Sequence, residues 1–246
     1  MTTCLITGAG RGIGRATAIA LADRGHRLVL TARSQPELAE TAALCGRAET
    51  TIIPADITTD GAVETIFEAA GPVDILVANA GSAVTAPLVR TTDEDWQRML
   101  DLNLTAPFRC VRRALPHMIE QGWGRIVVIG SVASRQGAPY IAAYVAAKHG
   151  VLGLVRAAAT EVVFKGVTVN AVCPGFVDSP MTDDSVAKIV ARTGRTPEQA
   201  RAGLEAQQPI NRLITVEEVA SAVLFCIDNG AITGQGINVD GGTVQS

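Results

Sequence analysis

Short runs rich in Val, Ile, Leu and Thr alternate with longer Ala- and Leu-rich stretches from one end of the chain to the other. The runs Thr3–Thr7, Arg27–Thr31, Thr50–Pro54, Val73–Val77, Arg125–Ile129, Thr168–Val172 and Gly236–Val239 are short and almost uniformly apolar. Such runs predict strands covered on both faces. The intervals predict helices over Ile13–Arg24, Pro36–Cys45, Asp60–Ala70, Asp93–Gln121, Ile141–Lys165 and Val216–Asn229, the first stopped by Gly25 and the last by Gly230. Strict β-α alternation implies an α/β fold, a doubly wound parallel sheet of about seven strands between two helical layers. No linker or composition break interrupts it, so one domain is expected over residues 1–246. The exception to the alternation is 176–209, polar and partly helical. It follows the carboxyl end of a strand, where open α/β sheets bind ligands, and is read as a substrate lid.

Composition narrows the partners. Of 246 residues 48% are hydrophobic and only 18% charged, against roughly 25% charged in typical soluble domains. With 21 Lys and Arg against 24 Asp and Glu, the net charge is −3 and no basic stripe offers itself to nucleic acid. No apolar run approaches the roughly 18 residues of a membrane span, and Met1–Gly10 lacks the basic start of a signal peptide. The cytoplasm is the expected location. Five scattered cysteines without CxxC spacing read as small buried hydrophobes, and His26, His117 and His149 form no local metal motif. A metal-independent chemistry is expected.

The first strand runs into Thr7-Gly8-Ala9-Gly10-Arg11-Gly12-Ile13-Gly14 and then into a helix. This is the context of a phosphate-binding turn: glycine lets the backbone approach a pyrophosphate, and the helix N-terminus offers free N–H groups. The TGxxxGxG spacing joins further motifs in order: Asn79-Ala80-Gly81 after the fourth strand, Asn103, Ser131, the Tyr144/Lys148 YxxxK pair, Pro174-Gly175, and Asp240-Gly241-Gly242. Over its whole length the chain resembles the short-chain dehydrogenase/reductase family, with its Rossmann-type fold. Within that family the run Asn170–Val177 is similar to that of the 3-oxoacyl thioester reductases and polyketide ketoreductases.

The resemblance implies a dinucleotide held by Gly8, Arg11, Gly12, Ile13, Gly14, Arg33, Ser34, Asp56, Ile57, Asn79, Ala80, Gly81, Tyr144, Lys148, Pro174, Gly175, Val177 and Ser179. Charge argues for NADP(H) over NAD(H). Enzymes of this fold that prefer NAD end the second strand with an acid that bonds the ribose 2′-hydroxyl. Here that position is Ala32, followed by Arg33 and Ser34, with Arg11 in the glycine turn. The two arginines suit a 2′-phosphate, although either alone also suits a solvated surface. Asp56 matches the residue that meets adenine in relatives, or serves as an N-cap to the next helix. Ser179 stands for the Thr of the family's PGxxxT pattern and keeps its hydroxyl.

Tyr144 and Lys148 share one helix face. The resemblance makes Tyr144 the acid/base, Ser131 the hydroxyl that holds the substrate oxygen, Lys148 the ribose-binding group, and Asn103 the holder of a relay water; the lesser alternative for Asn103 is merely to satisfy helix backbone. Tyrosine titrates ordinarily at about 10, so work near neutrality needs roughly 4 kcal/mol of phenolate stabilisation. The Lys148 ammonium and an oxidised nicotinamide are expected to supply it.

The implied function is reduction of a ketone, a 3-oxoacyl thioester or related carbonyl, to a secondary alcohol. The alternatives are an NAD-dependent 3-hydroxy acid or secondary alcohol dehydrogenase and a non-catalytic nucleotide sensor. The substrate is expected to meet Ser131, Gln136, Tyr140, Tyr144, Phe176 and Met181. The wide apolar arcs of the helices at 93–121 and 141–165 suggest a second buried face against a partner subunit, and the family resemblance implies a homotetramer. Carrier-protein relatives bear a basic collar near the cleft; here Glu120–Gly124 supplies no cation before Arg125, leaving Lys165.

Overall fold

The computed structural model describes residues 2–245. Seven parallel strands stand in the order β3-β2-β1-β4-β5-β6-β7: β1 Thr3–Thr7, β2 Arg27–Ala32, β3 Thr50–Pro54, β4 Ile75–Ala78, β5 Gly124–Ile129, β6 Val167–Pro174 and β7 Gly236–Val239. The order reverses between β1 and β4, which opens a crevice at their carboxyl ends. Thr7 pairs with Thr31, and Ile6 with Val77, so the strands flanking the crevice end in step.

Side-chain alternation assigns the faces. Cys4, Ile6, Leu28 and Leu30 face α1 (Gly12–Ala22), α2 (Gln35–Leu44) and α9 (Val216–Asp228), against Leu21, Leu38, Val219 and Val223. Leu5, Val29, Leu76 and Ile126 face α3 (Ala62–Ala70), α5 (Ala106–Glu120) and α6 (Ala142–Val162), against Phe67, Met118 and Val155. Each fully buried Leu or Ile contributes about 2 kcal/mol of transfer free energy. All five cysteines are buried, as small hydrophobes should be. The edge strands β3 and β7 depart from the expected two-sided burial: both are only half-covered.

The single helix expected over Asp93–Gln121 is broken into α4 (Asp93–Leu100), a wider π turn at Asp101–Thr105, and α5. Pro107 is the cause. It has no N–H for the carbonyl four residues back, that of Asn103, and its ring would collide with it. The third helix begins at Ala62 rather than Asp60, capped by Gly61 in the left-handed region. Asp56 is therefore not its N-cap; its carboxylate closes a local turn on Thr58 N and Oγ1 at 3.0 and 2.6 Å. The 176–209 insertion folds as α7 (Pro180–Thr193) and α8 (Pro197–Glu205) around Val186, Ala200, Leu204 and Leu213.

Helix α9 starts with a reciprocal cap. Thr215 Oγ1 accepts from Glu218 N at 3.2 Å, and Glu218 Oε2 accepts from Thr215 N at 2.8 Å. Arg212, then this cap, holds the Glu218 carboxyl down at about 2, below the roughly 4.3 of an unfolded chain. Its stabilisation is complete above the unfolded value and lost as pH falls toward the folded one. Glu218→Gln should therefore lower the urea midpoint at neutral pH, with the gap to wild type closing as the solution is acidified. A gap independent of pH would show that charge is not what Glu218 contributes.

Candidate active site

At the carboxyl end of β1 the chain turns through Gly8 and Gly12, both in the left-handed region at φ +65 and +55. A Cβ on Gly8 would lie 2.8 Å from Asn79 Nδ2, and one on Gly14 only 2.3 Å from the Gly8 carbonyl oxygen. Neither position admits a side chain. Asn79 explains the closeness: its amide donates to the carbonyls of Thr7 and Gly8 at 2.9 and 3.1 Å. Thr7 Oγ1 in return accepts from Asn79 N and Ala80 N at 3.0 Å each. Helix α1 then starts at Arg11 with no side-chain cap and no acid in its first turn. Uncapped N–H groups at the dipole's positive end, approached through glycine, fit the pyrophosphate of a dinucleotide. Ile13 packs half-buried beneath the turn.

Ser179, at the N-cap of α7, lies across from Gly12 (3.7 Å to where a Cβ would be), and its hydroxyl makes no cap bond. Val177 is buried, with its carbonyl taken by Thr182 Oγ1 at 2.5 Å. Arg11 and Arg33 are exposed, and among the described residues neither forms an ion pair. Ser34 caps α2, accepting from Glu37 N at 3.3 Å. Ile57 is buried beneath exposed Asp56.

The second cluster lies at the ends of β4 and β5. Gly130 N is held by the Val172 carbonyl at 2.7 Å, and Ser131 follows in extended conformation. The Ser131 Oγ accepts from Ala133 N at 3.1 Å and lies near the half-buried Tyr144 in the first turn of α6. One turn on, Lys148 is 4% exposed and donates to the Ile129 carbonyl at 2.7 Å, with Nζ 5.6 Å from the Tyr144 ring centre. Asn103, carried inward by the π turn, donates to the carbonyls of Ser82 and Met99 at 3.0 and 3.1 Å. Its amide thus does satisfy helix backbone, while its buried Oδ1 has no partner. A Cβ at Gly81 would stand 2.9 Å from that oxygen and 3.7 Å from Lys148 Nζ. The absence of a side chain at Gly81 leaves the unpartnered acceptor and the ammonium uncovered, the chemistry of a water or hydroxyl site.

Desolvation shifts both titrating groups against their charged forms: Lys148 falls to about 8, and Tyr144 rises, only partly offset by the nearby Ser131 hydroxyl. The expected lowering of Tyr144 by Lys148 is thus not met by the protein's own groups. Desolvation outweighs an ammonium already engaged with Ile129.

The outer residues spread around the mouth. Gln136, Tyr140 and Met181 are exposed and Phe176 half-buried. Tyr140 sits at φ +69, a strained conformation for a bulky residue, and its carbonyl accepts from Ala86 N at 2.8 Å. The cations left of a basic collar, Arg125 and Lys165, lie at the amino ends of β5 and β6, at the opposite end of the strands from this site. Arg125 is moreover spent on the carbonyls of Ile227 and Gly124.

A family model described as short chain dehydrogenase matches residues 2–190. The chain belongs to the short-chain dehydrogenase/reductase family. It is 37% identical to a D-beta-hydroxybutyrate dehydrogenase of Rhizobium meliloti (strain 1021), covering 98% of this chain and 97% of that one. It is equally 37% identical to a 3-oxoacyl-(acyl-carrier-protein) reductase of Escherichia coli (strain K12), covering 97% and 95%. Among solved structures, a single-residue variant of actinorhodin polyketide ketoreductase with NADPH superposes at a TM-score of 0.92 with 35% identity, covering 98% of this chain and 97% of that one. Like its family, this short-chain dehydrogenase/reductase is an NAD(P)-dependent oxidoreductase of carbonyl or alcohol substrates.

Several residues of this dehydrogenase/reductase's site were not among those singled out in the sequence. Gln208, almost fully buried, grips Phe176 by both backbone groups at 2.9 and 3.1 Å and the Arg212 carbonyl at 2.6 Å, joining the two ends of the insertion. Arg192 on α7 donates to the Thr85 carbonyl at 3.1 Å, bridging the cleft. Glu37 places a carboxylate beside Gly10. Only Pro107, which forces the π turn at Asn103, left a sequence signal.

Gly14→Ala drives a methyl group into a backbone carbonyl that Asn79 holds fixed. NAD(P)H binding, followed by fluorescence titration, is expected to weaken about tenfold or more with the fold retained. Unchanged affinity would mean that the turn does not carry the nucleotide.

Proposed function

We propose that this protein is an NADP(H)-preferring carbonyl reductase that converts a ketone, as a free carbonyl or coenzyme A thioester, to a secondary alcohol by hydride transfer. The observation that supports it most directly is the buried Lys148 ammonium one helical turn from Tyr144 and 5.6 Å from its ring centre, with Ser131 at the strand end beside them. A bound nicotinamide supplies the hydride. Tyr144 delivers the proton from its phenol oxygen to the substrate oxygen, which Ser131 holds by its hydroxyl. Lys148 bonds ribose hydroxyls, and Asn103 Oδ1 accepts from a water that returns the proton from solvent. Arg11 and Arg33 would hold the 2′-phosphate of the bound dinucleotide, and Asp56 and Ile57 its adenine; Asn79 holds the turn as a positioning residue, and Ala80 and Gly81 would contact the cofactor. Pro174, Gly175, Val177 and Ser179 receive the carboxamide.

The insertion acts as a lid, with Phe176 and Met181 closing on a substrate also met by Gln136 and Tyr140. This apolar mouth suits a medium-sized ketone better than a sugar. With Arg125 spent and Lys165 remote, the cleft lacks the basic collar that would recruit an acidic carrier protein. The protein works as a single-domain subunit of a cytoplasmic homotetramer; among the described residues no helix is long and apolar enough to cross a membrane. Trp96 and Phe108, large and part-exposed on α4 and α5, are suited to a subunit contact. The D-beta-hydroxybutyrate dehydrogenase relative favours a second reading, oxidation of a 3-hydroxy acid with NAD.

NADPH and NADH oxidation with ketones and 3-oxoacyl thioesters, against NAD(P) reduction with 3-hydroxy acids, separates the two. Tyr144→Phe is expected to lower kcat about 100-fold or more with little change in NADPH affinity, and Tyr140→Phe to do far less. Equal losses in the two variants would overturn the assignment of the proton donor.

A further inference from the structure

The second strand ends at Ala32, where NAD-preferring enzymes of this fold carry an acid, yet the space above Ala32 is not free of carboxylates. A Cβ on Gly10 would lie 3.7 Å from Ala32 Cβ, 3.0 Å from Glu37 Cβ and 3.1 Å from Glu37 Oε2. Gly10 of the phosphate turn, Ala32 at the strand end and the Glu37 carboxylate therefore converge. Glu37 reaches there from the first turn of α2, which Ser34 caps.

The side chain has forgone its ordinary local partner. Ser34 and Glu37 have the spacing of a reciprocal capping box, and such boxes close fully at Thr196/Gln199 and Thr215/Glu218. At Ser34 only half the box forms: Glu37 N donates to Ser34 Oγ, while the carboxylate turns toward Gly10. The nearby cation is not available to it either. Arg15 is engaged by Glu40 at 2.8 Å and by the Gly10 carbonyl. Among the described residues the half-buried Glu37 carboxylate has neither hydrogen bond nor ion pair.

We infer that Glu37 reads the 2′ position of the adenosine ribose, accepting from a free 2′-hydroxyl and repelling a 2′-phosphate. The inference rests on the dinucleotide reading of the Gly8–Gly14 turn. Glu37 stands in for the acid missing at Ala32 and opposes Arg11 and Arg33, so the preference for NADP(H) is smaller than two arginines alone would give. The protein then draws on both nucleotide pools, with the carboxylate setting the ratio.

The test needs no turnover. Calorimetry measures the affinities of wild type and Glu37→Gln for adenosine 2′,5′-bisphosphate and for AMP, which differ only in the 2′-phosphate. The amide keeps the size of the side chain and removes the charge. The ratio favouring the bisphosphate is expected to rise about tenfold in Glu37→Gln, as removal of a close like charge requires; an unchanged ratio would overturn the role of Glu37. The wild-type ratio reports separately on the NADP(H) preference. A wild type indifferent to the 2′-phosphate whose variant gains selectivity would overturn that preference and uphold Glu37. Failure of both nucleotides to bind would overturn both.

Discussion

Gly14 approaches the carbonyl of Gly8 so closely that a methyl group on it would stand 2.3 Å from the oxygen, and the Asn79 amide bonds that same carbonyl from β4. Three pieces of backbone, the end of β1, the start of α1 and the end of β4, are thus locked together by the close glycine contact, the Asn79 amide and the Thr7 hydroxyl. This lock fixes the uncapped N-terminus of α1 relative to the switch point of the sheet. It also fixes Gly81, two residues beyond Asn79, against Asn103 and Lys148. The phosphate end and the proton-transfer end of the site are positioned by one set of contacts, which is why they share one crevice.

The strand runs and the two-sided core could be read from the sequence because a parallel sheet buries both faces and leaves near-continuous apolar segments. The glycine turn and the Ser131, Tyr144 and Lys148 set could be read because their spacing is tied to strand ends and a helical turn. The break at Asn103 was obscured: α4, the π turn and α5 continue one amphipathic stretch, and only Pro107 marks where the helix must widen. Glu37 was invisible for a different reason. Its approach to Gly10 depends on where α2 lies over the turn, a tertiary fact with no local pattern. The weak collar could be read in part: the missing cations before Arg125 are visible in sequence, while the position of Arg125 and Lys165 at the amino ends of their strands is a tertiary fact.

The site is built on desolvation. Lys148 and Tyr144 are both shifted against their charged forms by burial, so the scaffold alone holds a neutral phenol, the form a reductase needs in order to donate. In the proposed mechanism, ionisation of that phenol for the reverse reaction would depend on positive charge brought into the site, which would couple the proton step to the oxidised cofactor.

That coupling can be measured directly, because Tyr140 and Tyr144 are the two tyrosines of the sequence. In Tyr140→Phe, ultraviolet difference titration of the remaining phenol is expected to give a midpoint above the ordinary tyrosine value of about 10 for the protein alone, and a lower one when NADP+ is added. A midpoint at or below the ordinary value in the protein alone, or one that NADP+ leaves unmoved, would contradict the account of Tyr144 as a buried proton donor governed by the cofactor.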